Sequence, residues 1–310
     1  MGETTAHIWI DCYGRSFVDE IHLSAEGTDF SFIFNSDKKH GKSFSLAMYL
    51  DHAVMGNDLT RYPVDRRICL LLESPIYDFI GDKEKFDRRF RRVFTHRRSL
   101  FENSEKYASL YYGTSWLEGA WEGQRFDKTS LVSFLGSIDH NAAHGYSLRM
   151  DVARMCMELS HVDCYGKGIN PIDSKLDGLG KYAFSIAMEN VREDFYFSEK
   201  LIDCLLTDTV PIYWGCPSIT ELFDERGMIL FESLDELADI LRGLSMERYL
   251  EMLPFVRKNR DIAIQNDWHT LKGVYRRLAR LLPLHFNLDD LPPISKRGKY
   301  VSSLFNFFKL

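Results

Sequence analysis

Between residues 184 and 215 the chain gathers residue types that could hold an anion. Phe184-Ser185-Ile186-Ala187-Met188-Glu189-Asn190 reads as a strand that ends in two polar residues. After a short polar loop comes Tyr196-Phe197-Ser198-Glu199-Lys200. The Ser198 hydroxyl can accept from a main-chain N–H two or three residues on, which makes it a helix N-cap. The helix start so formed presents unpaired N–H groups, a ready phosphate site. Lys200 adds a full positive charge in the first turn, where it opposes the helix dipole at a cost of roughly a few tenths of a kcal/mol. Such a cost suggests a phosphate partner; an exposed surface lysine is the alternative on these residues alone. Further upstream, Glu73 closes the apolar run Ile68-Cys69-Leu70-Leu71-Leu72. Carboxylates at strand ends are often functional in open α/β sheets, although Glu73 could instead bond to a main-chain turn.

Elements must exist to position these groups. The second half alternates strand and helix: strands at 130–135, 161–165, 182–188, 210–214 and 228–231, and helices at 147–159, 198–206, 218–223 and 234–244. Alternation at this pitch implies a parallel, doubly wound sheet, whose ligands sit at the carboxyl ends of the strands. In the first half, 8–10, 30–34, 93–95 and 109–112 read as strands. The continuous apolar run 68–72 suits a buried parallel strand, and 43–55 has helical spacing. With 310 residues, two domains are the expectation at about 150 residues each. The boundary is placed near residue 125, after a stretch rich in glycine and tryptophan. Residues 1–125 then form one domain, 126–265 a second, and 266–310 a tail.

The three ordered blocks 184–190, 196–200 and Thr209-Val210-Pro211-Ile212-Tyr213-Trp214-Gly215 resemble glycosyltransferase family 10, the α-1,3/1,4-fucosyltransferases. His161-Val162-Asp163-Cys164-Tyr165-Gly166-Lys167, Phe94-Thr95-His96, Glu73-Ser74-Pro75 and Arg149 are similar to further blocks of that family. The resemblance covers roughly residues 66–235 and implies a GT-B architecture, two Rossmann-like domains facing across a cleft. It implies an inverting transfer of L-fucose from GDP-L-fucose to a hydroxyl of an oligosaccharide or glycoconjugate. By the same resemblance Arg149 and Lys200 grip the donor pyrophosphate. Tyr196, Ser198 and Glu199 line the donor pocket, Glu189 and Asn190 shape the same crevice, and Glu73 takes the acceptor proton. Met188, Ser198 and Asp208 depart from the family's usual residues. Two rivals remain: the same fold with another nucleotide sugar (GDP-D-rhamnose, GDP-mannose or a UDP-sugar), or a non-catalytic carbohydrate-binding protein derived from it. Trp214, inside a strand, reads as a core aromatic.

The bulk numbers narrow the classes. A hydrophobic fraction of 45% with 27% charged residues is an ordinary globular balance. The net charge of −6 argues against nucleic acid as a partner. Residues 83–98 are locally basic, with eight Lys and Arg against Glu84 and Asp87. A solvated helix face with a Glu84–Arg88 pair explains this; a basic patch for an anionic acceptor is the alternative. The six cysteines show no CxxC pair, so buried free thiols in a reducing compartment are expected. Gly41-Lys42-Ser43 lacks the earlier glycine of a phosphate loop. His140 and His144 lack further zinc ligands, and no Asp-x-Asp metal motif occurs, so no metal or other cofactor is expected beyond the nucleotide sugar. No apolar run reaches 18 residues, and Met1 to His7 lack the basic and apolar regions of a secretory signal. A cytoplasmic enzyme, in a bacterium or a virus-infected cell, is the expectation. Residues 245–265 read as one or two helices that cross back to the first domain. The basic amphipathic stretch 271–282 and the aromatic, cationic end beyond residue 294 leave two readings open: a peripheral membrane anchor, or a terminal helix on the protein's own core.

Overall fold

The computed structural model describes residues 5–12, 18–34, 44–56, 59, 62–136, 145–288 and 291. The Gly41-Lys42-Ser43 loop, His140 with His144, and the end beyond residue 294 lie outside them. Among the described residues twelve strands form two sheets. The first half contributes β1 (Thr5–Asp11), β2 (Glu20–Ala25), β3 (Thr28–Phe34), β4 (Leu46–Leu50), β5 (Arg67–Leu71), β6 (Arg92–Thr95) and β7 (Tyr107–Ser109), with the short helices α1 (Lys83–Asp87) and α2 (Arg98–Phe101). Their order across the sheet is β2-β3-β1-β4-β5-β6-β7, and every pair is parallel except β2 with β3. The second half contributes β8 (Ser130–Leu135), α3 (Gly145–Glu158), β9 (Val162–Tyr165), α4 (Lys175–Leu179), β10 (Tyr182–Met188), α5 (Glu199–Leu206), β11 (Val210–Trp214), β12 (Ile229–Leu230), α6 (Leu234–Arg242), α7 (Met246–Gln265) and α8 (Leu271–His285). The order β12-β11-β10-β8-β9 is wholly parallel.

The expected helix at 43–55 is a strand followed by a 3₁₀ turn at Asp51–Met55. β4 lies between β1 and β5, so Leu46, Ala47, Met48 and Tyr49 are all buried. A strand covered on both faces loses the alternation that distinguishes it from a helix. The strand expected at 109–112 ends at Ser109; Tyr111 and Tyr112 run on toward the other sheet, and Tyr111 stacks on Phe195 at 4.8 Å. The basic stretch 83–98 is one short helix and one strand, with Glu84 paired to Arg88. All six cysteines are buried and free. Trp214 is buried in β11.

Helix α7 stays on the second sheet, against α5 and β11. Asp208 fixes it there. Asp208 sits in the left-handed region (φ 54°), receives Arg257 at 3.1 Å and Arg260 at 2.6 Å, and gives its carbonyl to the Tyr249 hydroxyl. The helix that crosses back is therefore α8 rather than its predecessor. Val274, Tyr275, Leu278 and Leu282 join the apolar face of the first sheet, with Tyr275 5.1 Å from Phe32 and 5.2 Å from Phe34. Among the described residues no helix is long and apolar enough to cross a membrane.

Candidate functional site

β10 and β11 run side by side and end together, Met188 beside Trp214. Just beyond, Glu189 is fully buried and organises the crevice. Its carboxylate accepts the Ser198 main-chain N–H at 2.8 Å and the Ser198 hydroxyl at 2.7 Å, and lies 3.5 Å from the Lys200 ammonium. Gly215 permits this: a Cβ there would fall 2.5 Å from the Glu189 side chain and 2.7 Å from the Tyr213 hydroxyl. The final glycine of the third block is thus a close-approach residue. Ser198 caps α5 as expected, accepting from the Lys200 N–H.

Lys200 lies 3.3 Å from Glu199 and 3.5 Å from Glu189. Burial pulls the ammonium pKa down, but the two carboxylates outweigh it and the net shift is upward. Burial likewise opposes ionisation of Glu199, yet Lys200 and Lys175 hold its carboxyl below the usual range. The unfavourable place of a cation in the first turn of α5 is offset by carboxylates of the protein itself.

Arg149 projects from α3 and is buried. Its guanidinium donates to the Met188 carbonyl at 2.8 Å and to Asn190 Oδ1 at 2.7 Å. Asp151, which could have paired with it, bonds Arg154 instead. Arg149 therefore joins Asn190 and Lys200 at the carboxyl end of β10.

Two neighbouring cavities meet here. One, of about 390 Å³, opens between the sheets and is lined by Asp51, His52, Glu73, Tyr112, Trp116, Asn190, Tyr196, Ser198, Glu199, Lys200 and the start of α8. The other, of about 320 Å³, lies over the ends of β8 and β9 and is lined by Gly136, Arg149, Tyr165, Gly166, Lys167, Lys175, Glu199 and Lys200 among others. Gly166 (φ 130°) lets two chain segments touch: a Cβ would lie 2.0 Å from the Gly136 carbonyl oxygen. Trp116, Glu199 and Lys200 border both cavities. Of the eight residues singled out from the sequence, Glu73, Asn190, Tyr196, Ser198, Glu199 and Lys200 face the first cavity and Arg149 the second. Glu189 is the exception. It lies behind the wall and acts through Ser198 and Lys200. Among the described residues no three His, Cys, Asp or Glu side chains gather as metal ligands.

Three groups here went unnoticed in the sequence. Asp203, buried on α5, accepts from the Ser115 hydroxyl at 2.6 Å, the Trp116 N–H at 3.1 Å and Lys175 at 2.8 Å. Lys175 also lies 4.6 Å from the centre of the Trp116 ring. Trp116 is thereby fixed while remaining 65% exposed. The signal was the lone acid within Leu201-Ile202-Asp203-Cys204-Leu205-Leu206, since a buried carboxylate requires partners. Lys175→Met removes one of them. It should lower stability by roughly 1–3 kcal/mol in urea denaturation, and Lys175→Met with Asp203→Asn should recover most of that loss. No recovery would mean that Lys175 acts through packing and not through charge.

The two halves are joined across the cleft. Arg98 gives two hydrogen bonds to Glu221 at 2.7 and 2.9 Å and covers the Phe195 ring at 4.3 Å. His96 packs on Tyr196 at 5.1 Å. Beside these contacts, Glu73 on the first sheet and Lys200 on the second line one cavity.

Comparison with known proteins agrees with this geometry. Residues 127–272 match the family model described as glycosyltransferase family 10 (fucosyltransferase) C-term. An 87-residue stretch is 33% identical to the alpha-(1,3)-fucosyltransferase FucT of Helicobacter pylori, covering 26% of this chain and 18% of that protein. Over 117 residues the chain is 34% identical to GDP-fucose protein O-fucosyltransferase 3 of Bos taurus, covering 32% of this chain and 24% of that protein. The chain thus spans less than a quarter of these relatives. In three dimensions it resembles an alpha1,3-fucosyltransferase crystal structure with a TM-score of 0.55 at 15% identity, over 81% of each chain. It also resembles Anabaena Alr3699/HepE in complex with UDP-glucose, with a TM-score of 0.51 at 12% identity, over 78% of this chain and 79% of that one. The fold, two α/β units with parallel sheets across a cleft, is that of the GT-B glycosyltransferases. Over residues 127–272, a little under half of its length, the chain is similar to the C-terminal domain of glycosyltransferase family 10.

Proposed function

We propose that this chain is an inverting glycosyltransferase that moves L-fucose from GDP-L-fucose to a hydroxyl of a glycan acceptor. The observation that carries this reading is one cleft bordered by a carboxylate on the first sheet, Glu73, and by the Lys200 cation on the second. In this reading residues 1–125 provide the acceptor side and 126–265 the donor side. The nucleotide lies in the cavity over β8 and β9, with its pyrophosphate at Arg149, Lys200 and the start of α5. Glu73 takes the proton of the acceptor hydroxyl as that oxygen bonds to the anomeric carbon. The bond from that carbon to the phosphate oxygen breaks on the opposite face, so the configuration inverts. Charge builds on the departing diphosphate, where Lys200 and Arg149 stabilise it; electrostatic stabilisation of this kind is often the largest catalytic term. A glycan acceptor fits a cleft that carries the fixed, exposed face of Trp116, because sugar rings pack their apolar faces on aromatic ones.

Calorimetric titration with GDP, UDP and GDP-L-fucose tests the donor. GDP and GDP-L-fucose should bind with micromolar affinity and UDP at least about tenfold more weakly, a difference of roughly 1.4 kcal/mol. UDP bound in preference to GDP would keep a transferase and remove fucose. Nucleotide binding without transfer to any of a panel of β-galactosides, N-acetylglucosaminides and glycopeptides would favour the carbohydrate-binding relative.

A further inference from the structure

Asp51 stands where β4 ends, on the wall of the cleft that also holds Glu73. Its backbone is left-handed, φ 47°, a region costly for residues other than glycine and least so for Asn and Asp. That turn places the side chain beneath the end of β5. There Asp51 Oδ1 accepts the main-chain N–H of Leu72 at 2.8 Å and that of Glu73 at 3.0 Å. The ladder between β5 and β6 ends at Leu71 and Thr95, so these two N–H groups lie past the last paired residues. Main-chain donors buried without partners are rare because each carries a large desolvation cost. One carboxyl oxygen thus ties down the two successive peptide groups that lead into Glu73.

We propose that Asp51 is a positioning residue for sugar transfer: its side-chain oxygen fixes the strand end that carries Glu73, and so holds the Glu73 carboxylate at the acceptor hydroxyl. This role rests on the function proposed above. A displacement of about 1 Å at a reacting group can cost on the order of 10²-fold in rate, so the hold matters even though Asp51 itself stays off the reacting atoms. Neither of its two hydrogen bonds needs the charge. Burial is the main influence on the Asp51 carboxyl and pushes it up to about 7, against the two N–H bonds that favour the ionised form. Glu73 adds to the rise and Arg97 opposes it; Cys69, Tyr112 and Tyr275 also face the group. The folded state therefore binds a proton that the unfolded chain has lost, and stability falls as pH rises from about 4 to about 7.

The test compares Asp51→Gly with Asp51→Asn in the full chain, since both residues accept the left-handed backbone. Asp51→Gly removes the acceptor and should lower kcat by about 10–100-fold while GDP affinity stays at the wild-type value. Asp51→Asn keeps an oxygen acceptor and should retain kcat within about threefold, with the fall of stability between pH 4 and 7 flattened. In hydrogen exchange the Leu72 and Glu73 amides should lose protection in the glycine variant and keep it in the asparagine variant. An unchanged kcat in Asp51→Gly, an equal loss in both variants, or a parallel loss of GDP affinity would overturn the proposal. A wild-type chain that transfers no sugar would defeat the function and this role with it. A transferring wild type whose Asp51→Gly variant is fully active defeats the role alone.

Discussion

Glu73→Gln should lower kcat for sugar transfer by about 10²–10⁴-fold, the usual contribution of a positioned general base. GDP affinity should stay within about twofold of wild type, because the loss is confined to an interaction made in the transition state. The substitution is nearly isosteric. Glu73 Oε2 accepts the neighbouring Ser74 N–H at 3.1 Å, and a glutamine oxygen can take over that bond. The Glu73 main-chain N–H remains on Asp51. The fold should therefore persist, and the thermal midpoint with it. Initial-rate kinetics with saturating donor, beside a GDP titration, decide the matter. A variant with wild-type kcat would show that another group accepts the proton. A variant that also loses GDP would show that Glu73 serves the donor. A carbohydrate-binding protein without catalysis would give no rate to lose.

The fold of the second half was legible because its strands are short, apolar and separated by helices with clear caps. Ser198 and Ser233 both accept from the first turns of the helices they precede. The grouping of the candidate site residues was legible there for the same reason: Glu189, Ser198 and Lys200 interact within one strand–loop–helix unit, so their spacing in sequence nearly fixes their spacing in space. The first half hid more. β4 was unreadable because it is buried on both faces, and β2 because it is an edge strand with mixed exposure. The groups that went unnoticed are those whose partners are remote in sequence. Asp51 meets Leu72 and Glu73 only because β4 and β5 are neighbours. Asp203 meets Ser115 and Trp116 only because the two halves close on each other. The resemblance implied that Glu189 shapes the crevice together with Asn190. The Glu189 side chain instead turns inward against Gly215, where the missing Cβ leaves room. Polarity at a strand end marks a site, whereas which polar group faces the ligand is decided by packing around it.

Lys200→Ala should act on binding and stability together, and the two effects can be separated. Loss of the ammonium removes the charge nearest the proposed pyrophosphate. GDP affinity should fall by about 10–100-fold, since hydrogen bonds to charged groups contribute roughly 1.5–3 kcal/mol. The same loss strands Glu189, which is fully buried, and leaves Glu199 with Lys175 at 3.6 Å as its remaining cation. Breaking a buried ion pair on one side typically costs about 3–5 kcal/mol, so the variant should unfold at markedly lower urea concentration. The pH dependence follows from the same contacts. The lowered carboxyl of Glu199 contributes stability that is present above its unfolded value and lost on acidification; without Lys200 this acid-side loss should shrink. Combining Lys200→Ala with Glu199→Gln removes one of the two carboxylate charges that lost Lys200. It should recover part of the stability while restoring none of the GDP affinity. If the double variant regains GDP binding with its stability, Lys200 is a structural cation and the phosphate contact lies elsewhere, with Arg149 the next residue to replace. If stability returns and affinity does not, the ammonium itself meets the nucleotide, and the two carboxylates serve to hold it in place before the donor arrives.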